Sequence, residues 1–281
     1  MIILGFSIKK ICSTLIGNVT QTRKSYMEWR KQQRSNKELA KAARKNQIVI
    51  DINDVKDEHE ACGALFAEIQ NAADLYGIFE DLFDGAYFTP ALSLSVEYDF
   101  DEEYITPVYR GNVIKPKEAQ KRPQVHWPSK DDSLWTLVMT NPDGHFSETN
   151  AEYLHWMVSN VKGSDLSQGS VNVPYLQPFP AFGTGFHRYV FILFKQSSPV
   201  DLSKFNESGP VSLKGRTFRT SQFFNEYKDQ LTPAGLAFFQ SDWDSSLTQV
   251  FHHVLNMKEP RFEYDFAPPY TAPWLEKNPR Q

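Results

Sequence analysis

A mainly β fold, an antiparallel sandwich with large loops and flanking helices, is predicted by three features of this chain. Leu92, Leu94, Val96 and Tyr98 alternate with Ser93, Ser95, Glu97 and Asp99, which is the period of a half-buried strand. Residues 134–140, 156–160 and 189–194 are mostly apolar runs of strand length, as expected of central strands. The connections are long and rich in Pro, Gly and Ser, as in residues 168–185, and an aromatic share of 14% favours pleated surfaces over a helix bundle.

Taken in order, residues 20–46 read as an exposed basic helix. Residues 54–82 follow as one amphipathic helix. Val55, Cys62, Phe66, Ile69, Ala73, Tyr76 and Phe79 recur by threes, fours and sevens, Asp54 is a candidate cap, and Asp84-Gly85 ends the segment. That apolar face requires a partner, either the following domain or another protein. After the strands, residues 221–230 read as a short helix stopped before Pro233. Residues 244–256 read as another, with Leu247, Val250, Phe251, Val254 and Leu255 at amphipathic spacing and Asp244 as cap. The end is extended and Pro- and aromatic-rich, with Phe262, Tyr264, Phe266, Tyr270 and Trp274 too many aromatics for an idle terminus. The organisation is therefore a basic arm at 1–47, a helical extension at 48–89, a β domain at 90–256 and a tail at 257–281.

Charge is distributed unevenly. Residues 1–47 hold eleven cations against Glu28 and Glu38, a net +9, which leaves −13 for the rest of a chain whose total is −4. A basic arm on an acidic body points to an anionic partner for the arm, with Arg23, Lys24, Arg30, Lys31, Arg34, Lys37, Lys41, Arg44 and Lys45 as its contacts. The opening has no acid before Glu28 and mixes apolar, hydroxyl and basic residues, the composition of a mitochondrial presequence. Its apolar stretch is too short to span a bilayer and is interrupted by Lys9 and Lys10, so no membrane span is expected. Cys12 and Cys62 form no metal or redox pattern.

The chemistry-bearing residues concentrate in GTGFHRYVFILF (183–194) and HWMVSNVKG (155–163). His187 and His155 precede apolar blocks. Side by side, the two strands would bring their histidines together at one end of a sheet and line a pocket. Asp143 and His145 join them as candidates. The spacing of these residues does not require a metal, no G-x-S-x-G elbow is present, and Arg188 stands where a dinucleotide fingerprint needs its third glycine. No metal, no cofactor and no enzymatic activity are expected. What remains is an anion pocket, in which histidine and tyrosine donors and the backbone around Gly183–Gly185 hold a phosphate or carboxylate, unless those groups merely bond one another.

LWTLVMTNPDGHF (134–146), AEYLHWMVSNVKG (151–163), YLQPFPAFGTGFHRYVFILFKQ (175–196) and RTFRTSQFFNEY (216–227) resemble successive blocks of the phosphatidylethanolamine-binding protein family, over about residues 90–255. The resemblance implies a β-sandwich with helices near the C-terminus and a pocket for anionic groups such as phospholipid headgroups. It places His155, Gly185, His187 and Tyr189 at pocket positions and Asp143 at the second acid of the family's D-P-D-x-P motif. Asn141 replaces the first aspartate, His145 the final proline, and Ala181 the second proline of a Pro-Pro pair, so the pocket is expected to be degenerate. The flanks, residues 55–90 and MKEPRFEYDFAPPY (257–270), are similar to those of a mitochondrial large-subunit ribosomal protein built on this domain. That similarity implies a mitochondrial structural component of the central protuberance, with ribosomal proteins and, through the arm, rRNA as partners. A soluble phospholipid- or anion-binding module is the alternative.

Overall fold

The computed structural model describes residues 58–101, 104–129, 132–207 and 209–263. The basic arm, the start of the second predicted helix and the tail aromatics from Tyr264 onward lie outside the described residues.

The helical extension forms α1 (Glu58–Leu75) and α2 (Ile78–Phe83), not one continuous helix. The break falls at Gly77, whose φ of 66° lies in the left-handed region that glycine enters at low cost. Re-aimed there, the chain buries Ile78, Phe79, Leu82 and Phe83. Each such burial is worth about 1.5–3 kcal/mol, more than the one or two helical hydrogen bonds forgone.

The strands are β1 (Ser95–Asp101), β2 (Tyr104–Pro107), β3 (Asn112–Val113), β4 (Gln124–His126), β5 (Leu134–Asn141), β6 (Glu152–Lys162), β7 (Ser170–Val173), β8 (His187–Gln196), β9 (Thr217–Phe218) and, after α3 (Thr220–Tyr227), β10 (Leu231–Ser241). One sheet runs β2-β1-β4 and the other β3-β10-β8-β5-β6-β7, with β9 pairing β6. Every pairing is antiparallel except β3 with β10.

The predicted alternation holds. Leu92, Leu94, Val96 and Tyr98 turn inward against Leu137, Met139, Trp156, Tyr189, Phe191 and Phe239 of the larger sheet. That sheet is covered on its other face too. Val138, Met157, Val190, Ile192, Phe194 and Phe238 pack beneath Ala73, Phe79 and Leu82 of the extension and Phe223 of α3. The following domain is thus what covers the extension's apolar face, and burial on both faces explains why β5 and β8 read as unbroken apolar runs.

The helix predicted at 221–230 forms as α3 and ends before Pro233, and the stretch after it, where no element was predicted, is β10, one of the most buried strands. Its Pro233 sits at a register shift between Pro233 and Gly235, where the ladder needs no proline N–H. Gly235 lets the segment leading into β1 approach, since a Cβ there would lie 3.0 Å from Leu92 Cδ1 and 3.4 Å from Leu94 Cβ. The helix read at 244–256 is a single turn, Leu247–Gln249, followed by a π turn, Val250–Val254. Asp244 is not its cap: the N-cap is Ser246, with no side-chain cap bond, and Asp244 accepts from Ser246 N at 2.8 Å in the turn before it.

Candidate functional site

β6 and β8 are not neighbours, because β5 lies between them. Their histidines, both buried, still come close enough to interact electrostatically. His155 is fully buried, and its ring meets those of Tyr189 and Phe179 at centroid distances of 5.0 Å each. His187 and Tyr189, two apart on β8, face the same way, and Ser241 of β10 pairs with His187 in register. His155 Nε2, His187 Nδ1, Tyr189 Oη and Ser241 Oγ are all buried without a hydrogen-bond partner.

The opposite ring nitrogens are held. His155 Nδ1 lies 2.9 Å from Leu176 O. His187 Nε2 lies 2.7 Å from Thr184 Oγ1, whose hydroxyl donates to Ala181 O at 2.8 Å. Burial lowers the pKa of both rings, that of His155 to about 3 with Leu176 partly opposing the shift, so both are neutral at physiological pH. Burial also raises the Tyr189 phenol well above its ordinary value.

The motif loop stands beside His187. Asn141 is buried, and its Oδ1 accepts from Asp143 N at 2.9 Å, while a Cβ on Gly144 would come within 2.5 Å of Asn141 Nδ2 and 3.1 Å of His187 Nδ1. Asp143 turns to Arg188, accepting from its backbone N at 2.7 Å, Nε at 2.9 Å and Nη2 at 2.5 Å. The same guanidinium reaches Asp81 at 2.6 Å and donates to Tyr76 O at 2.6 Å. Burial alone would lower the Arg188 pKa, but Asp143 and Asp81 outweigh it and the value is raised. Arg188, noticed in the sequence only for spoiling a glycine fingerprint, ties the helical extension to the motif loop.

His145 bonds other partners. Its Nδ1 accepts from Glu148 N at 3.0 Å, so its proton sits on Nε2, which donates to Thr217 Oγ1 at 3.0 Å. That polarity opposes proton removal from Thr217. The ring stacks on Tyr153 at 4.4 Å and lines a groove of about 280 Å³ with Glu148 and Lys214.

Gly185, with φ 81°, has open space around its Cβ position, whereas Gly183, with φ 84°, has none: a Cβ there would collide with the carbonyl of Phe262. Residues 257–263 lie across this loop. Phe262 N donates to Phe182 O at 2.9 Å, Arg261 covers the Phe182 ring, and buried Glu259 accepts from Trp243 Nε1 at 2.6 Å.

Two buried charged groups were not singled out by sequence. Arg216, 1% exposed, donates to the carbonyls of Leu154, His155 and Pro174 and pairs with Glu207 at 2.5 Å. Glu152 accepts from Thr140 Oγ1, Thr220 N and Thr220 Oγ1, each at 2.6 Å, and burial pushes its pKa up to about 7 against those bonds. No signal marks either in the sequence, where both look like ordinary surface charges. Among the described residues no three His, Cys, Asp or Glu side chains gather as metal ligands do, and no helix is long and apolar enough to cross a membrane.

A family model for the phosphatidylethanolamine-binding protein matches residues 103–228. Over that segment, less than half of its length, the chain is similar to this family. Its fold is likewise that of a carboxypeptidase Y inhibitor crystallised with its cognate proteinase, at 26% identity and a TM-score of 0.52, covering 63% of this chain and 96% of that one. A phosphatidylethanolamine-binding protein from Plasmodium vivax aligns at 19% identity with a TM-score of 0.47, over 62% of this chain and 97% of that one. The carboxypeptidase Y inhibitor leaves more than a third of this chain unmatched. The matched family segment contains Asn141, Asp143, His155, Gly185, His187 and Tyr189, and excludes the helical extension, β10 and residues 257–263.

Proposed function

We propose that the chain is a structural component of the mitochondrial large ribosomal subunit, in the central protuberance, and acts without catalysing a reaction. The observation that carries this reading is what lies outside the family domain. Residues 55–90 and 257–270 are similar to the flanks of a mitochondrial large-subunit ribosomal protein, and they are preceded by an arm of net +9 on a body of −13. An arm so charged is suited to rRNA phosphates, while an acidic body packs on protein neighbours. The extension's bonding through Arg188 supports the reading as well, since an element fixed this firmly to the domain can transmit position from one to the other. Mitochondrial import, through the acid-free opening, belongs to the same proposal.

The test is a sucrose gradient of mitochondrial lysate, blotted for this chain with and without magnesium chelation. Co-migration with the large subunit, lost when chelation unfolds the particle, is the expected result. A chain found only in the light fractions sinks the proposal.

A second reading is favoured by one observation, the buried unpartnered atoms of His155, His187 and Tyr189. On this reading the domain is a small-ligand-binding module. Saturable perturbation of these side chains by a soluble headgroup or a smaller fragment tests it, and no response to any of them removes it.

A further inference from the structure

The chain beyond β10 builds a groove of about 540 Å³, outside the segment that matches the family. Thr248 and His252, four residues apart along the turn Leu247–Gln249 and the π turn Val250–Val254, line it from one element. Lys258, Glu259, Pro260 and Arg261 line it from the segment that follows. Backbone bonds fix both elements: Leu255 N donates to Val250 O at 3.0 Å, Met257 N to Phe251 O at 2.9 Å and Phe262 N to Phe182 O at 2.9 Å. Glu259 is the only acid among these lining residues, and it is buried and engaged. It accepts from Trp243 Nε1 at 2.6 Å, Thr248 Oγ1 at 3.2 Å and, loosely, Arg261 Nη2 at 3.3 Å. The Arg261 guanidinium lies over the Phe182 ring, 5.4 Å from its centroid, which holds it in place while its remaining N–H groups stay available. Lys258 and His252 are exposed, and among the described residues no carboxylate pairs with either.

We propose that this groove is a second RNA-contacting surface, in which Lys258, Arg261 and His252 take phosphates of an RNA backbone. The inference rests on the reading of the chain as an rRNA-bound component, and deepens it by giving the acidic body a contact separate from the basic arm. A body of net −13 repels phosphates as a whole, so contact is confined to places where cations gather without an exposed acid between them. Residues 251–263 carry Lys258, Arg261 and two histidines against Glu259 and Glu263, and Glu259 is buried and bonded. Lysine and arginine only donate, which suits the unesterified oxygens that a backbone presents at every nucleotide. The groove is open at the surface and larger than one phosphate, so a stretch of strand fills it where a lone phosphate would touch only part. No Asn or Gln lines it, and its one carboxylate is engaged by Trp243 and Thr248, so it lacks the side chains that read base edges. The contact therefore positions the RNA without selecting its sequence.

Filter binding of the full chain to a transcript of mitochondrial large-subunit rRNA, and to an RNA of random sequence, tests this over a series of salt concentrations. Lys258→Gln, at an exposed side chain with no bond to lose, should reduce the slope of log affinity against log salt by about 1. Lys258→Gln with Arg261→Gln should reduce it by about 2 and weaken both RNAs alike by about tenfold, while Arg261→Lys should keep the slope. His252 ring signals, followed by NMR, should shift on adding RNA to the unaltered chain and shift less in the double variant. That readout does not depend on the arm. Unchanged slopes in both the single and the double variant overturn the inference, and RNA still held through the arm would leave the ribosomal reading standing. Saturation of the His252 shift by inorganic phosphate, with no shift on adding RNA, also overturns it and makes the groove a small-anion site. No binding of either RNA by the unaltered chain at low salt overturns the inference together with the rRNA contact on which it rests.

Discussion

Replacing Arg188 by Met tests how firmly the helical extension is held to the domain. The methionine keeps the aliphatic stem and the backbone bond to Asp143, and removes three connections. The first is the two-pronged side-chain contact with Asp143, at 2.9 and 2.5 Å, between groups whose side chains are 15% and 25% exposed. Being partly open to solvent, it falls below the 3–5 kcal/mol of a fully buried pair, at about 2 kcal/mol. The second is Asp81, 46% exposed, worth at most about 1 kcal/mol. The third is the bond to Tyr76 O, about 1 kcal/mol. A loss of about 3–4 kcal/mol should therefore appear in urea unfolding of the full chain, measured against matched single and double replacements at Asp143 and Asp81. The double-mutant coupling of Arg188 to Asp143 should be about 2 kcal/mol and insensitive to salt, while that to Asp81 should be smaller and fade as ionic strength rises. A change within about 0.5 kcal/mol for Arg188→Met, or equal couplings to the two aspartates, would refute the reasoning.

Arg216→Met should cost about 3–5 kcal/mol, more than Arg188→Met, because Arg216 is buried and Glu207 loses its counter-ion; comparing the two midpoints under one denaturant series checks this. Glu152 and His155 should oppose each other in pH. Glu152, raised from 4.5 to about 7, contributes stability that is complete below pH 4.5 and lost as pH rises through 7. His155, lowered from 6.5 to about 3, contributes stability present above pH 6.5 and lost as pH falls toward 3. Each slope is about 1.4 kcal/mol per pH unit, so they cancel between the unfolded values of 4.5 and 6.5. In Glu152→Gln the His155 slope, reinforced by His187, should emerge as a steep loss on acidification; unchanged pH profiles in denaturant titrations would contradict this. Gly183→Ala should cost at least about 1–2 kcal/mol from its positive φ and should also lift residues 257–263, exposing them to protease. A cleavage pattern identical to the parent's would show that this contact does not hold the segment.

The β-sandwich was legible because its strands carry simple patterns: alternation where one face is covered, continuous apolar runs where both are. β10 was missed for a physical reason, since Pro233 and Gly235 are strand breakers unless a bulge absorbs the one and a close neighbour requires the other. The break at Gly77 was hidden because Phe79 continues the helical spacing of Ala73 and Tyr76 while belonging to a redirected helix. At the site, the resemblance brought His155, His187 and Tyr189 together, whereas the sequence alone placed the two histidine strands side by side when β5 separates them. Which ring nitrogen bears the proton was beyond sequence altogether, because it depends on Leu176 and Thr184, residues with no distinguishing pattern. Burial of Arg216 and Glu152 was equally invisible, since a local sequence window does not record what long-range packing covers.

The place of β10 bears on where this protein can be cut. The segment matching the family ends at residue 228, yet β10, at 231–241, lies between β3 and β8 and pairs with β8 from end to end. A polypeptide stopping at Lys228 would leave β8 as an open edge of apolar residues with its backbone groups unanswered, the kind of surface that recruits strands from other molecules. Such fragments should aggregate through that edge, and an added peptide spanning 229–242 should rescue them by strand complementation. During synthesis the same geometry keeps the larger sheet incomplete until the chain has grown past Ser241, leaving β8 exposed to mispairing until then.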